Sequence, residues 1–388
     1  MTFTTAGLFS GIGGLELPFA RRGARTELLC ENWEPARAVL AERFAEADLH
    51  GDVADLADLP RDVDVVTAGF PCTDLSQAGR TAGIRGRESG LVSHVFRLLR
   101  RSRTRWLVLE NVRNMLVLDR GGAMAFLVEE LEALGFAWAY RTVDSRFSGV
   151  PQRRHRVLFV ASRTDDPRGV LFADEAGPPD AAAERDDAFG FYWTEGLRGL
   201  GWARNAVPPL KGGSGVGIPS PPGIWRPRAA PGRRVVTPSV EDAEALQGFP
   251  RGWTEAARDG RRDGARWKLV GNAVTVGVAD WLASRLLTPG TVALPVRPLD
   301  RAGGWPEAAF GHAGGAFAVD ASHWPRHGLR RHLSDVVQEA TLTPLSHRAA
   351  AGFLSRARLG RLRFDPRFLA DVEAHVAGSA PIATTAAE

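Results

Sequence analysis

The sequence has 388 residues, of which 44% are hydrophobic and 24% are charged, and its formal net charge at pH 7 is +4. This composition is typical of a soluble globular protein with a sizeable core, and the length allows two or three domains. No apolar run approaches the ~18 residues of a membrane-spanning helix and the N-terminus has no secretory signal pattern, so we expect a cytoplasmic protein that does not enter a membrane.

Residues 1–165 alternate short apolar runs with helix-like stretches. The runs at 28–30, 63–66, 106–109 and 157–160 predict buried strands, and the stretches 34–44 and 90–101 predict helices. This alternation predicts an α/β fold with a mostly parallel sheet and helices on both faces. Ligands bind such sheets beyond the carboxyl ends of the strands, so the residues that follow each strand are the candidates for a site.

The rest of the chain predicts three further parts. Residues 166–260 begin with an irregular stretch, to about 232, that is rich in Gly, Pro and aromatic residues, and they form a predicted second domain. Residues 261–290 return the chain to the first domain. Residues 291–388 follow a Gly-rich linker and contain three candidate helices, which we expect to form a helical extension outside the core. Apolar residues recur there at helical spacing: Leu329, Leu333, Val336 and Val337, then Phe368, Leu369 and Val372.

Polar residues follow the first three predicted strands. After the first strand comes Leu8-Phe9-Ser10-Gly11-Ile12-Gly13-Gly14, where the glycines would let a ligand approach the backbone or simply form a tight turn. Glu31 follows the second strand and could bind ribose hydroxyls or cap a helix. Asp52 follows a third strand and could belong to the same site or to an ordinary turn.

The next three polar features lie around the later strands. Cys72 stands in the loop Gly69-Phe70-Pro71-Cys72-Thr73-Asp74, and Glu110 follows the next strand within Glu110-Asn111-Val112. Gln152-Arg153-Arg154-His155-Arg156 precedes another strand. Taken singly, each has two interpretations. Cys72 could be a buried structural thiol or a nucleophile, and Glu110 could form an ion pair or act in catalysis. The segment 152–156 could be a solvated basic turn or a cluster of hydrogen-bond donors.

Cysteine and arginine usage narrows the chemistry further. The sequence has two cysteines, Cys30 and Cys72, which excludes a disulfide scaffold and a cysteine-based zinc cluster, and we predict no metal site. Lys211 and Lys268 are its only lysines, so its basic residues are nearly all arginine, a side chain suited to phosphate and guanine. Codon bias explains arginine richness equally well, so composition permits a nucleic-acid partner without showing one.

In combination, these motifs resemble the cytosine-5 DNA methyltransferase family. The motifs of this family occur here in the usual order. They are a glycine loop, an acid after the second strand, the Pro-Cys, Glu-Asn-Val and Gln-x-Arg-x-Arg motifs, a variable region and two late motifs. The late motifs are Gln247-Gly248-Phe249-Pro250 and Gly271-Asn272-Ala273-Val274. The resemblance covers residues 3 to 290. One departure is Gly7, which stands where many members have an acid.

The resemblance implies a Rossmann-like fold that uses S-adenosylmethionine, a small irregular target-recognition domain and a covalent mechanism. Cys72 would attack carbon 6 of cytosine, Glu110 would act on ring nitrogen 3, and Arg154 would neutralise charge near the base. Arg154 and Arg156 would favour the thiolate. The segment from Thr73 to about Gly90 would close over a cytosine that is flipped out of the duplex.

The resemblance also implies binding residues and partners. The partner would be double-stranded DNA, the enzyme would be a monomer, and a restriction endonuclease could be encoded separately. The implied cofactor residues are Phe9, Gly11, Ile12, Gly13, Gly14, Glu31, Asp52, Val53, Pro71 and Asn272. The candidate DNA contacts are Ser76, Arg80, Gln152, Arg156, Trp193, Arg198 and Lys211, with Trp202 and Arg204 beside them.

Two alternative functions and one open question remain at this point. One branch of the family methylates transfer RNA, and a non-enzymatic DNA-binding regulator could keep the fold. The size of the 166–232 region favours DNA, and intact Cys72, Glu110 and Arg154 favour an enzyme. The arginines of the extension either add phosphate contacts or form a solvated flank: Arg348, Arg356, Arg358, Arg361 and Arg363.

Overall fold

Two β-sheets organise the chain. The computed structural model describes residues 3–70, 90–180, 184–193, 199–213, 219–260 and 263–379. The strands of the larger sheet are β1 (Thr4–Leu8), β2 (Arg25–Cys30), β3 (Asp48–His50), β4 (Val65–Ala68), β5 (Trp106–Val112), β6 (Ala137–Asp144), β7 (His155–Ser162), β12 (Val296–Pro298), β13 (Ala308–His312) and β14 (Gly315–Val319). Those of the smaller sheet are β8 (Phe189–Tyr192), β9 (Gly201–Arg204), β10 (Gly223–Trp225), β11 (Val235–Thr237) and β15 (Thr343–Pro344).

The larger sheet has a parallel half and an antiparallel half. Its order is β12-β14-β13-β6-β7-β5-β4-β1-β2-β3, and the strands from β5 to β3 run parallel. Leu8 pairs with both Cys30 and Ala68, and Ala68 pairs with Leu109. This register brings the residues that follow β1, β2, β4 and β5 to one edge. The predicted strands β1, β2, β4 and β5 are parallel, but the prediction of a mostly parallel sheet is wrong. The predicted strand at 157–160, which is β7, pairs antiparallel, as do β6 and three strands from the C-terminal segment.

Helices cover both faces of the larger sheet, as the alternating pattern predicted. The helices are α1 (Glu16–Arg21), α2 (Glu34–Arg43), α3 (Leu91–Arg101), α4 (Gly122–Ala133), α5 (Arg168–Leu171), α6 (Val240–Gln247), α7 (Gly264–Asn272), α8 (Val276–Leu287), α9 (Leu333–Val336), α10 (His347–Leu359) and α11 (Pro366–Gly378). In α3, Val92, Val95 and Leu99 recur at helical spacing and are buried with α4 on one face. On the other face, Phe19 of α1 and Trp281 of α8 are buried together. In the described part of the chain, no helix is long and apolar enough to cross a membrane.

The smaller sheet is antiparallel and is covered by the last two helices. Its order is β15-β11-β10-β8-β9. Phe353 of α10 and Phe368 of α11 lie against Phe191, with ring centroids 4.7 and 5.0 Å from its ring, and Trp225 lies 5.4 Å from Phe368. Both phenylalanines of the helices are fully buried. The C-terminal helices therefore supply half of this sheet's hydrophobic core.

The prediction that residues 291–388 lie outside the core is wrong. Strand β13 pairs with β6 and extends the larger sheet, while β15 pairs with β11 of the smaller one. Three helices do form, but Leu329 lies outside them and is 93% exposed. The strands 308–312 and 315–319 are rich in Ala and Gly, residues with weak β-propensity, so their local sequence did not indicate a sheet.

The second domain is also smaller than the predicted 166–260. Residues 168–172 pack into the hydrophobic layer beneath α8, and Phe249, Trp253 and Ala257 pack against α2 and the glycine loop. The smaller sheet takes its first four strands from residues 189–237. Both ends of the predicted second domain thus belong, by their contacts, to the first domain.

Candidate active site

A cavity of about 620 Å³ lies at the carboxyl edge of the parallel strands. Phe9 after β1, Glu31 after β2, Gly69 after β4 and Glu110 at the end of β5 line it, and Asn272 at the end of α7 closes one side. Register alone explains this convergence, because the last residues of these strands are paired with each other. The position is the one where α/β sheets bind ligands.

The glycine loop shapes the cavity through its backbone. Gly11 has φ +57°, its amide donates to Glu31 Oε2 at 2.9 Å, and open space lies where a side chain would project. Gly13 has φ +79°, and a Cβ there would meet the ring of Phe44. Phe9 also adopts a positive φ, 55°, which costs a non-glycine residue about 1–3 kcal/mol and is concentrated at functional sites.

Glu31 is the carboxylate best placed to hold a polar ligand at the mouth of the cavity. Its Oε1 accepts from the Trp33 amide at 2.9 Å while Oε2 accepts from Gly11. Each carboxylate oxygen can accept a further hydrogen bond, so the side chain is fixed and still able to bind hydroxyl groups. Both interpretations of Glu31, as a cap for backbone amides and as a ligand group, are compatible with this geometry.

The predicted cofactor residues divide into four groups. Six line the cavity: Phe9, Gly11, Ile12, Gly14, Glu31 and Asn272. Gly13 supports the loop from behind. Asp52 is exposed and accepts from the Ala54 amide at 2.9 Å, and Val53 is buried in the core beneath α3, so neither is among the described lining residues. Pro71 lies outside the described residues.

Several lining residues were missed by the sequence analysis, among them Lys268, Trp33 and Glu16. The Lys268 ammonium lies 4.5 Å from the centre of the Trp33 ring, and both residues line the cavity. Glu16, at the start of α1, lines its inner end. Lys268 is one of only two lysines in the chain, and Glu16 is an acid two residues beyond the glycine loop, so these residue types were signals that the sequence offered.

Glu110 forms an ion pair with Arg156. Arg156 Nε lies 2.9 Å from Glu110 Oε1, and the two side chains are only 15% and 10% exposed. Burial lowers the pKa of Arg156, and the Glu110 carboxylate opposes that change. Next to Glu110, the Asn111 amide donates to the Phe70 carbonyl at 3.0 Å. The described chain after β4 ends there, two residues before Cys72.

Arg154 does not reach Glu110 as a hydrogen-bond partner, so its predicted place at the base needs correction. Its guanidinium is buried and donates to the backbone carbonyls of Leu210, Gly271 and Ala273 at 2.9, 3.2 and 3.0 Å. Burial lowers its pKa, and the nearby Arg156 lowers it further. Arg154 therefore ties β7 to the second domain and to the late motif, and the cation beside Glu110 is Arg156.

Gln152 is also an internal residue and not a surface for DNA. It is fully buried; its amide donates to the Leu246 carbonyl at 3.1 Å and to Gln247 Oε1, and its Oε1 accepts from the Leu210 amide at 3.0 Å. Gln247 in turn donates to the Ala273 carbonyl at 2.6 Å. We call Gln152, Arg154 and Gln247 the junction, because they join the two domains and the late motifs through backbone carbonyls.

The other predicted DNA contacts are mostly engaged within the protein. Trp193 is buried against Phe191, so its prediction as a DNA contact is wrong. The Lys211 ammonium lies 4.5 Å from the centre of the Tyr192 ring, and exposed Arg204 donates to the Glu184 carbonyl at 2.6 Å. Ser76, Arg80, Arg198 and Cys72 lie outside the described residues, as does nearly all of the segment predicted to close over the base.

Among the arginines of the C-terminal segment, Arg358 forms an ion pair of 2.7 Å with Glu373 of α11. Arg356 donates to the Gly352 carbonyl at 3.0 Å. The part of this surface around Arg358 is therefore partly neutralised by an acid from the following helix, which the sequence run without acids did not show. A role for these arginines in binding phosphate stays a prediction.

Cys30 is a structural thiol. It is buried at the end of β2, and burial, with the nearby Asp52 and Glu31, raises the pKa of its thiol to about 11. At neutral pH the side chain is therefore protonated and a poor nucleophile. Of the two cysteines, only Cys72 is left as a candidate for nucleophilic chemistry.

Comparison with known proteins agrees with this geometry. A family model described as C-5 cytosine-specific DNA methylase matches residues 3–183. The chain is 43% identical over 379 residues to the type II methyltransferase M2.BsuMI of Bacillus subtilis strain 168, covering 94% of this chain and 96% of that protein. It is 32% identical over 160 residues to the type II methyltransferase M.BsuFI of Bacillus subtilis, covering 41% and 39%. Of solved structures, the S. pombe Dnmt2 methyltransferase shares the fold with a TM-score of 0.53 at 14% identity, covering 74% of this chain and 98% of that one.

Proposed function

This chain belongs to the C-5 cytosine-specific DNA methylase family and is a DNA (cytosine-5-)-methyltransferase, and from that premise we propose how it works. It transfers the methyl group of S-adenosylmethionine to carbon 5 of a cytosine within a specific sequence of double-stranded DNA, with Cys72 as the nucleophile. The observation that carries the proposal is Glu110, which is paired with Arg156 and lines a cavity together with the glycine loop and Glu31.

The cavity fits S-adenosylmethionine in size and chemistry. Its volume of about 620 Å³ is within the range of small-molecule sites, roughly 300–1,000 Å³. Open space at Gly11 admits a ligand against the loop, Phe9 offers an aromatic surface, and Glu31 can accept from ribose hydroxyls. When bound, the cofactor supplies an electrophilic methyl group. Asn272 stands where it can contact the methionine end.

Cys72 solves the problem that carbon 5 of cytosine is a weak nucleophile. The Cys72 thiolate forms a bond to carbon 6, and the electron pair displaced from the ring double bond makes carbon 5 nucleophilic. Carbon 5 then takes the methyl group. A solvent-derived base removes the carbon 5 proton, and the bond between sulfur and carbon 6 breaks to return the thiolate. Covalent catalysis of this kind divides one difficult step into easier ones.

Glu110 and Arg156 act on the ring that Cys72 attacks. Glu110 enters the reaction in its protonated form and donates that proton to ring nitrogen 3 as negative charge develops there, which makes carbon 6 more electrophilic; it takes the proton back when the bond between sulfur and carbon 6 breaks. Such assistance is worth about 10²- to 10⁴-fold. Arg156 fixes the carboxyl group of Glu110 and places a cation beside the ring carbonyl oxygen. We thus transfer to Arg156 the role that the sequence analysis gave to Arg154.

The proposed substrate is a cytosine flipped out of duplex DNA, because carbons 5 and 6 cannot be reached within the stack. The relative that matches nearly the whole chain is named as a type II methyltransferase, which supports DNA rather than transfer RNA. The smaller sheet and its loops would read the sequence, the enzyme would work as a monomer in the cytoplasm, and a restriction endonuclease could be encoded separately.

The test is to express the chain in a host that lacks cytosine-5 methylation and to sequence the host's DNA and transfer RNA after bisulfite treatment. We expect methylation at one DNA sequence motif with the wild type and with Cys30→Ala, and none with Cys72→Ala. Methylation confined to transfer RNA would contradict the proposed substrate. Methylation by Cys72→Ala would contradict the proposed mechanism.

A further inference from the structure

Glu16 is a buried carboxylate that the proposed mechanism does not use. It is 1% exposed at the start of α1, and its side chain lines the inner end of the cavity. Its Oε1 accepts from the Thr67 hydroxyl at 2.6 Å, but its Oε2 has no hydrogen-bond partner. The hydroxyl of Ser10, which also lines the cavity, is likewise buried without a partner. Unsatisfied buried polar atoms are costly, so two of them facing one cavity suggest that a ligand satisfies them.

Gly7 makes room for this carboxylate. A Cβ built at residue 7 would collide with Oε1 of Glu16 and with the hydroxyl of Ser10. Residue 7 is the position where the sequence departs from an acid that many similar proteins have. In this chain, the space beside residue 7 is filled instead by an acid that reaches in from α1. A carboxylate is therefore present at this point of the cavity, although it comes from residue 16 and not from residue 7.

The electrostatics of the cavity favour a cationic ligand. Among its described lining residues, three are acids, Glu16, Glu31 and Glu110, and one is a base, Lys268, which lies over the Trp33 ring. Burial raises the pKa of Glu16 to about 7; the Thr67 hydroxyl and the backbone amides of Glu16 and Leu15 oppose this rise, and the charge of Glu31 adds to it. A buried acid with such a pKa lacks a cation to pair with.

We propose that Glu16 binds the α-ammonium group of the cofactor's methionine moiety, with Ser10 as a second acceptor. The inference rests on the proposed function, because it assumes that the cavity holds S-adenosylmethionine. An ammonium group donates three hydrogen bonds and can satisfy both Oε2 and the serine hydroxyl, whereas the sulfonium of the same cofactor donates none. Gly14, two residues before Glu16, lies against the late motif. A Cβ added to Gly14 would come within 3.1 Å of the Val274 carbonyl oxygen and 3.4 Å of its amide nitrogen.

The proposal has a consequence for protons. An ammonium beside Glu16 favours the ionised carboxylate, so binding near pH 7 releases the proton that Glu16 carries in part of the free molecules. Glu31, Glu110 and Lys268 face the same cavity and could contribute, so the proton release must be assigned by changing Glu16 alone.

The experiment is isothermal titration calorimetry of the full chain with three ligands: S-adenosylmethionine, S-adenosylhomocysteine, which keeps the ammonium but has no sulfonium, and the des-amino analogue of S-adenosylhomocysteine. Wild type and Glu16→Gln are compared at pH 7 in two buffers of different ionisation enthalpy. We expect Glu16→Gln to weaken the binding of the first two ligands roughly 10- to 100-fold, which is the contribution of a charged hydrogen bond. The affinity for the des-amino ligand should not change. Proton release should disappear in the variant. Thermal unfolding of Glu16→Gln should be no lower than that of the wild type, because the amide keeps the shape and removes a buried charge.

Each other outcome has a distinct meaning. Equal weakening of all three ligands, or a fall in thermal stability that accounts for the lost binding, would assign Glu16 a structural role and overturn the inference. Weakening of S-adenosylmethionine alone would place the carboxylate against the sulfonium and would also overturn it. If the wild type bound none of the ligands while methylating nothing, the proposed function itself would fail.

Discussion

Two buried polar clusters lie within the same protein and differ in one respect. At the junction, Gln152 and Gln247 have their amide groups matched with backbone carbonyls or with each other, and Arg154 donates to three carbonyls through its two terminal nitrogens, while its Nε has no partner. At the cavity wall, by which we mean Glu16 and Ser10, Oε2 of Glu16 and the hydroxyl of Ser10 have no hydrogen-bond partner. Burying a polar group costs free energy unless it is paired. The paired groups of the junction hold the domains together, and the unpaired oxygen atoms of Glu16 and Ser10 face a cavity where a ligand can reach them.

The comparison explains why neighbouring residues of one motif do different work. Arg154 and Arg156 are two residues apart, and both belong to Gln-x-Arg-x-Arg. One reaches outward from β7 to carbonyls of the second domain and of the late motif, and the other reaches Glu110. Both are conformationally fixed, but only Arg156 lies where a cytosine would be held in the proposed mechanism.

The largest expected effect comes from truncation at residue 290. This change removes β13 from its partner β6 and removes Phe353 and Phe368 from the core of the smaller sheet. We expect the shortened chain to be insoluble or unfolded when its soluble yield and urea unfolding are measured. The single change Phe368→Ala is the graded control, with a loss of about 3–5 kcal/mol in the free energy of unfolding. A soluble truncated enzyme with a cooperative transition would show that these residues are an independent module after all.

A smaller effect should separate the two arginines. Arg154→Met removes the donor from the buried carbonyls of Leu210 and Gly271, at about 1–3 kcal/mol each, while the Ala273 carbonyl still accepts from Gln247, so its free energy of unfolding should fall by roughly 2 kcal/mol or more. Arg156→Met should lose less stability, because Glu110 faces a cavity that water can enter, and should lose turnover instead. Urea unfolding and methyl transfer, measured on both variants, test this division. Equal stability losses, or full turnover in Arg156→Met, would contradict it.

The sequence predicted the parallel half of the sheet and most of the cavity because those features depend on local patterns. Buried strands, the glycine loop and the acids after β2 and β5 each have a signature within a few residues, and strand register then brings them together. The sequence could not predict the partners of Gln152 or Arg154, since those carbonyls come from residues 56 to 119 positions away. It also missed the C-terminal strands, whose pairing with β6 is equally non-local.

The most direct measurement is covalent trapping on DNA that carries 5-fluorocytosine at the methylated position. Fluorine at carbon 5 cannot leave as a proton does, so the bond between Cys72 and carbon 6 should persist after methyl transfer. The account predicts a protein–DNA adduct that survives denaturing electrophoresis with the wild type, forms more slowly with Glu110→Gln and is absent with Cys72→Ala. An adduct of undiminished yield with Cys72→Ala, or no adduct from a wild type that methylates the unmodified sequence, would contradict it.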